Sequence, residues 1–255
     1  MDIRMTPIEP DYFYHLYNRG INGEIIFKSD RNYLFFLNKI KENLLSVCDI
    51  YAYCLMPNHF HLLVRIKADD ALPNLENAKN SDLKGLHASQ NIFSKQFSKI
   101  FNSYSQAFNK ENNRHGALIE SPFKRKRITS EDYLRQCIIY IHRNPESEDF
   151  TTFAYSSYQN ILSNSKTALM RNEVLELFDG VENFILCHKK ETDYQFWKME
   201  QNYFVQLALN LVKVQNLDKV HWLLILKITI GLLYSNLTQP CQGSKPWQGS
   251  LSEKR

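Results

Sequence analysis

The chain has 255 residues, of which 44% are hydrophobic and 23% are charged. This composition is typical of a globular protein, and it excludes wholesale disorder, a collagen-like repeat and a coiled coil. The net charge of +4 is too small to indicate a partner by itself.

Hydrophobic periodicity and turn residues predict four strands and three helices before residue 145. In chain order they are a strand at 12–19, a helix at 31–46, strands at 50–56 and 59–66, a helix at 88–111, a strand at 118–128 bent at Pro122, and a helix that Thr129 or Ser130 can cap and that runs to Asn144. The first six elements follow the split βαβ order, which predicts a ferredoxin-like antiparallel sheet with helices on one face. Residues 68–86 are predicted to form a polar loop. Beyond residue 145 we predict a mainly helical region, so the expected fold class is α+β.

The cysteines favour a cytoplasmic protein. They number five and include no C-x-x-C pair, as expected for reduced thiols rather than for a disulfide framework or a zinc ribbon. The N-terminal sequence MDIRMTPIEPDYF has no apolar segment, so we expect no signal peptide. The most apolar stretch, residues 221–233, is too short to span a bilayer, so we predict no membrane partner.

Positive charge is concentrated in the middle of the chain. Residues 84–143 carry 11 basic and four acidic side chains, a net charge of +7, while the segments on either side are slightly acidic. The run Lys124, Arg125, Lys126 and Arg127 lies in this part. A local basic patch is typical of a protein that binds a polyanion. A solvated strand or turn explains the same run, and charge alone leaves both interpretations open.

Two histidines lie on the predicted strand at residues 59–66. Because strand side chains alternate, Phe60, Leu62, Val64 and Ile66 form an apolar face, whereas His59 and His61 lie on the opposite, uncovered face. Such a pair can form half of a divalent metal site. A hydrogen-bonded structural pair remains the alternative, because the H-x-H pattern alone is a weak signal.

The last predicted helix carries polar side chains one turn apart. Gln136, Tyr140 and Asn144 share one helical face, where Asn144 offers an amide oxygen and Tyr140 a phenol. In the alternative interpretation, Tyr140 is a half-buried core residue and Asn144 merely ends the helix before Pro145.

Three segments closely resemble the REP-associated tyrosine transposases, which belong to the single-tyrosine, HUH-type transposases of bacterial insertion sequences. They are HLYNRGIN at 15–22, AYCLMPNHFHLLV at 52–64 and YIHRNP at 140–145. The resemblance extends from about Tyr12 to His188, and its MPNHFHLLV part is highly specific.

The resemblance implies the roles of the site residues. His59 and His61 would be the metal ligands, Asn144 would complete the metal site, and Tyr140 would be the nucleophile. The implied activity is metal-dependent nicking and strand transfer of single-stranded DNA beside a hairpin, through a 5′-phosphotyrosine intermediate. Nitrogen and amide ligands suit Mg²⁺ or Mn²⁺. The location would be the cytoplasm, at the nucleoid when the protein is bound to DNA.

Basic residues are the expected DNA contacts. Lys124, Arg125, Lys126 and Arg127 precede the helix of Tyr140 and can hold a phosphate backbone. Arg19 can contact DNA or stabilise its turn. Two other functions stay open, which are a rolling-circle-type nickase and a catalytically silent regulator that binds hairpin DNA or RNA. The sequence does not decide between a monomer and a homodimer.

The predicted organisation has three parts. Residues 1–150 form the catalytic domain, residues 151–194 a helical extension covered by the resemblance, and residues 195–255 a helical appendage with a disordered tail. The link after Asn144 is shorter and more acidic than the resemblance suggests, since it contains Glu146, Glu148 and Asp149. This difference bears on how the helix of Tyr140 docks.

Overall fold

Four antiparallel strands form the central sheet. The computed structural model describes residues 6–68, 86–145 and 148–189, of which residues 86–91 are described by backbone alone. The strands are β1 (Phe13–Arg19), β2 (Cys48–Met56), β3 (His59–Ile66) and β4 (Lys124–Arg127). Their spatial order is β2-β3-β1-β4, so β1 and β3 lie at the centre. This order confirms the predicted ferredoxin-like, α+β fold.

Six α-helices and a short 3-10 helix (Ile21–Gly23) complete the elements of the described residues. The α-helices are α1 (Asp30–Leu44), α2 (Leu86–Glu111), α3 (Glu131–His142), α4 (Tyr158–Leu162), α5 (Arg171–Leu177) and α6 (Val181–Lys189). The mainly helical region predicted after residue 145 is therefore present in α4 to α6. No helix within the described ranges is both long enough and apolar enough to cross a membrane.

The hydrophobic core lies between the sheet and the helices α1 and α2. Leu16 and Phe60 from the central strands are fully buried there against Phe36 of α1 and Ile100 of α2. Burying side chains of this size contributes about 1.5–3 kcal/mol each. The core also takes up the aromatic stripe of α2, where Tyr104 donates a hydrogen bond to the carbonyl of Ile26. This packing covers one face of the sheet. The opposite face carries His59 and His61 and is called the histidine face below.

The strand predicted at 118–128 is shorter in the structure. Ile119 forms only an isolated bridge with Gly20, and regular pairing with β1 is confined to β4. Pro122 lies between the two and has no backbone N–H, so it cannot continue the ladder.

The face expected to be uncovered carries α3, which contacts β2 and β3. Ser130 caps α3 by accepting a hydrogen bond from the Tyr133 amide at 3.2 Å, as predicted for that position. Five of the twelve side chains of α3 are apolar and buried, namely Leu134, Cys137, Ile138, Ile139 and Ile141. An apolar helix face of this kind needs a surface to pack on, and the histidine face of the sheet provides it.

The segment after α3 covers the outer edge of β2. The amide of Ser157 donates to the carbonyl of Tyr53 at 2.9 Å, and the amide of Leu55 donates to the carbonyl of Tyr155 at 3.0 Å. Isolated bridges also join Cys54 to Ser156 and Ile50 to Leu169 at this edge. Unpaired strand edges invite unwanted pairing with other chains, and this segment protects the edge.

Chain contacts divide the protein into two compact units, residues 1–181 and 182–255. Only the α6 part of the second unit is described. The appendage predicted at 195–255, and residues 69–85 of the polar loop predicted at 68–86, lie outside the described residues. The predicted three-part organisation stays a prediction. Four cysteines in the described ranges are buried thiols, namely Cys48, Cys54, Cys137 and Cys187.

Candidate functional site

The two central strands place four ring side chains on the α3 face of the sheet. Pairing of β1 with β3 sets Tyr17 opposite His61 and Arg19 opposite His59. Because side chains alternate along β1, His15 lies on the same face as Tyr17. The rings of His15, Tyr17 and His61 are stacked, with centroids 5.0–5.8 Å apart. The site is therefore built on the two central strands of the sheet.

His59 lies at the start of β3 between two asparagines. Its Nδ1 is 2.7 Å from Oδ1 of Asn58, and its Nε2 is 2.9 Å from Oδ1 of Asn144. Both ring nitrogens thus face an amide oxygen, although a neutral imidazole carries one proton. A neutral ring can therefore donate to only one of these oxygens. A second proton or a metal cation at Nε2 would account for the contact with Asn144.

His61 is held by a second histidine. Its Nδ1 is 2.9 Å from Nε2 of His15, and the two rings are 5% and 0% exposed. Burial lowers the pKa of His15 to about 3, with a smaller contribution from the charge of Lys126. Burial, with the neighbouring charges of His15 and His59, also lowers the pKa of His61. A hydrogen bond between two ring nitrogens needs one proton, so one imidazole donates and the other accepts.

Tyr140 lies beside this histidine pair. Its ring centroid is 5.4 Å from that of His61 and 5.8 Å from that of His15, with the ring edge-on to both. The side chain is half-buried. Helix α3 therefore brings together the four residues that the sequence singled out, because Asn144 follows its C-terminal end and contacts His59.

Three donor atoms are suited to a divalent cation. They are Nε2 of His59, Oδ1 of Asn144 and Nε2 of His61, whose Nδ1 is already engaged by His15. The 2.9 Å between the first two fits ligands of one ion, since two bonds of about 2.1 Å at right angles separate their donor atoms by about 3 Å. Within the described ranges, no cluster of three or more His, Cys, Asp or Glu side chains offers a metal site. The candidate donor set instead combines two imidazole nitrogens with the amide oxygen of Asn144.

The basic run of β4 is divided between the two faces of the sheet. Pairing with β1 sets Lys124 opposite Tyr17 and Lys126 opposite His15, on the histidine face. The Nζ atom of Lys124 is 3.1 Å from a carboxylate oxygen of Glu120, and that of Lys126 lies 5.1 Å from the ring centroid of Tyr133.

The two arginines of the run lie on the opposite face. Arg125 is 6% exposed and donates from Nε to the carbonyl of Thr6. Its burial makes it unsuitable as a DNA contact, which corrects the prediction for this residue. Arg127 forms an ion pair with Glu9 and stacks 3.4 Å from the ring centroid of Tyr12.

Arg19 is exposed at the end of β1. Its Nε donates to Glu120 at 2.6 Å. Partial burial raises the pKa of Glu120, but hydrogen bonds from Arg19 and Lys124 outweigh this effect and lower it. Glu120 is therefore an anion that links the two cations beside the site, and Arg19 stabilises its turn while its side chain stays accessible.

Sequence reasoning missed His15 and Tyr17 as parts of the site. The signal was available in the alternation of residues 13–19, in which Tyr14 and Leu16 are fully buried in the core. Only the pairing of β1 with β3 decides that the other two rings meet His61.

Comparisons with known proteins give a distant likeness to solved structures. No family model matches the chain, and no curated protein matches it. A solved structure described as the "REP associates tyrosine transposase bound to a REP hairpin" is similar at 13% sequence identity and a TM-score of 0.43. The likeness covers 62% of this chain and 82% of that chain, and it concerns only the course of the backbone.

Proposed function

We propose that this protein is a metal-dependent enzyme that nicks and joins single-stranded DNA through a phosphotyrosine at Tyr140. The observation that carries the proposal is the position of the Tyr140 ring, 5.4 Å from the ring of His61 and on the helix whose end brings Asn144 to His59. The resemblance of the sequence segments to tyrosine transposases points to the same chemistry. A nucleophile beside three donor atoms is what phosphodiester exchange requires.

The reaction is two transesterifications. The phenol oxygen of Tyr140 attacks the phosphorus of a phosphodiester, its proton passes to solvent, and the bond to the 3′-oxygen breaks. The 5′-phosphate stays on Tyr140, and the released 3′-oxygen takes up a proton. A later 3′-OH attacks the same phosphorus, which restores the phenol and joins the strands. Because one ester replaces another, no nucleoside triphosphate is needed.

A divalent cation held by His59, His61 and Asn144, either Mg²⁺ or Mn²⁺, would supply Lewis-acid polarisation of the scissile phosphate. The other groups belong to the chain itself. Lys124 and Lys126 on the histidine face, with Arg19 beside them, are the cations we assign to the DNA backbone. Such contacts position a strand without selecting its sequence.

The test is adduct formation on a labelled single-stranded DNA hairpin in Mg²⁺ or Mn²⁺, followed on a denaturing gel. We expect an adduct with the wild type and with Tyr17→Phe, and none with Tyr140→Phe. Tyr17 is the matched control because its ring is also within 5.8 Å of His61. An adduct that survives Tyr140→Phe but not Tyr17→Phe would transfer the nucleophile to Tyr17.

A catalytically silent hairpin-binding regulator is the second candidate. The observation that favours it is the burial of His61, which is 5% exposed beneath α3. The same gel separates the two functions when a native binding gel is run beside it. Hairpin binding by the wild type without any adduct or cleavage would favour the regulator.

A further inference from the structure

His15 is a buried polar residue whose hydrogen bonding is incomplete. It is 0% exposed, and its Nε2 contacts Nδ1 of His61 at 2.9 Å. Its other ring nitrogen, Nδ1, is buried without a hydrogen-bond partner among the described residues. Leaving a buried polar group unsatisfied costs about 1–3 kcal/mol. An apolar aromatic side chain at this position would avoid that cost, but it would leave the buried Nδ1 of His61 without a partner, so the contact with His61 is what a histidine provides here.

The contact with His61 supplies an explanation. A metal cation binds an imidazole nitrogen that carries a lone pair, so His61 can bind through Nε2 only when its proton is on Nδ1. A proton on Nδ1 of His61 needs an acceptor, and Nε2 of His15 is 2.9 Å away. In the opposite arrangement His15 donates to Nδ1 of His61, and the proton of His61 occupies the nitrogen that a cation needs.

We propose that His15 is a positioning residue that accepts the Nδ1 proton of His61 and thereby keeps Nε2 of His61 available to a divalent cation. The inference rests on the proposed function for the role of the cation. His15 itself touches neither metal nor DNA. Partners of this kind, which fix the tautomer and the ring orientation of a ligand histidine, typically change metal affinity by 10–100-fold when removed.

Two substitutions separate this role from a structural one. His15→Phe keeps an aromatic ring in the buried position but accepts no hydrogen bond. His15→Gln retains a carbonyl oxygen that can accept the proton of His61. His115→Phe is the matched control, because His115 is an exposed histidine outside the site.

The first measurement is the affinity of the full-length chain for Mn²⁺, by calorimetry or by electron paramagnetic resonance. We expect His15→Phe to weaken binding by about 10–100-fold. His15→Gln is expected to keep most of the affinity, and His115→Phe all of it. We expect the thermal midpoint of His15→Phe to stay close to that of the wild type, because the substitution removes the unsatisfied Nδ1 of His15 but leaves Nδ1 of His61 without its acceptor. Unchanged Mn²⁺ affinity in folded His15→Phe would overturn the inference.

The second measurement is the ¹⁵N chemical shifts of the His61 ring in metal-free protein. We expect the proton on Nδ1 in the wild type and in His15→Gln, and a shift toward Nε2 in His15→Phe. A wild-type proton on Nε2 would also overturn the inference. Failure of the wild type to bind Mn²⁺ would instead contradict the proposed metal site, and the ring shifts would still decide the role of His15.

Discussion

Asn144 lies just beyond the end of α3, where its amide oxygen is 2.9 Å from Nε2 of His59. In the proposed metal site, the amide of Asn144 would add an oxygen donor to two nitrogen donors without adding a charge. It suits a hard cation such as Mg²⁺ or Mn²⁺. The contact also ties the end of the helix that carries Tyr140 to the strand that carries both histidines.

We expect Asn144→Ala to weaken Mn²⁺ binding by more than the roughly 10–100-fold that loss of a supporting hydrogen bond costs, because it removes a donor atom. Asn144→Asp should retain binding, since a carboxylate oxygen replaces the amide oxygen. Calorimetry with MnCl₂ measures both, and the yield of covalent DNA adduct should follow. Asn43→Ala on α1, where the amide bonds only to the Lys39 carbonyl in the described contacts, is the control. Equal affinity in Asn144→Ala and the wild type would remove this residue from the metal site.

At the residue scale, the sequence identified His59, His61, Tyr140 and Asn144 because they lie in short segments with a recognisable order. His15 was missed because its role depends on a partner 46 positions away along the chain. Arg125 was misjudged for the same kind of reason. A run of four basic residues looks uniform in sequence, but strand alternation buries one of them against the Thr6 carbonyl.

At the scale of elements, the position of α3 decides whether Tyr140 can act. Ser157 fastens the end of this helix to the edge of β2. Its Oγ accepts from the amide of Tyr53 at 2.8 Å, donates to the carbonyl of Tyr53 at 3.2 Å and lies 2.7 Å from Nε2 of His142. Ser157 and His142 are both fully buried, so each of these contacts is shielded from water.

We expect Ser157→Ala to lower the free energy of unfolding by about 1–3 kcal/mol, because it leaves buried partners unsatisfied. The adduct yield should fall as well, since the helix of Tyr140 loses its attachment to β2. Urea denaturation and the adduct gel measure the two effects. Ser165→Ala, at an exposed position in the same segment, should change neither. An adduct yield that stays at the wild-type level in folded Ser157→Ala would show that this attachment does not position Tyr140.

Most elements could be predicted because their causes are local. The cap at Ser130, the apolar stripe of α2 and the alternation in β3 involve residues close in sequence. The packing of α3 on the histidine face could not be predicted. The amphipathic pattern of a helix shows that one side must be buried, but not against which surface. Which surface it packs on is settled by the remaining elements.

At the scale of the whole molecule, the sheet divides the lysines of the basic run from its arginines. Lys124 and Lys126 flank the histidine face, whereas Arg127 lies on the other face and pairs with Glu9. A DNA strand that reaches Tyr140 must lie along the histidine face. The basic run should therefore contribute to binding through its lysines and not through its arginines.

The salt dependence of hairpin-DNA binding tests this division. Each phosphate contact to a single strand contributes about 0.7 to the slope of log K against log salt concentration. We expect Lys124→Ala and Lys126→Ala each to reduce the slope by about this amount, and Arg127→Ala to leave it unchanged. Fluorescence anisotropy across a salt series measures the slope. A reduction of the same size in Arg127→Ala would place the DNA on the other face of the sheet.

The sequence by itself determined the order of strands and helices, the two histidines on one strand face, and the tyrosine and asparagine one turn apart. These features follow from periodicity and spacing, which are properties of neighbouring residues.

Only the tertiary structure decided which rings surround His61, which cations share its face and what covers that face. The physical reason is that strand pairing and helix docking join residues far apart in the chain, and no local pattern encodes their partners. The hydrogen bond between His15 and His61, the separation of Lys126 from Arg125 and the packing of α3 all arise from this long-range pairing.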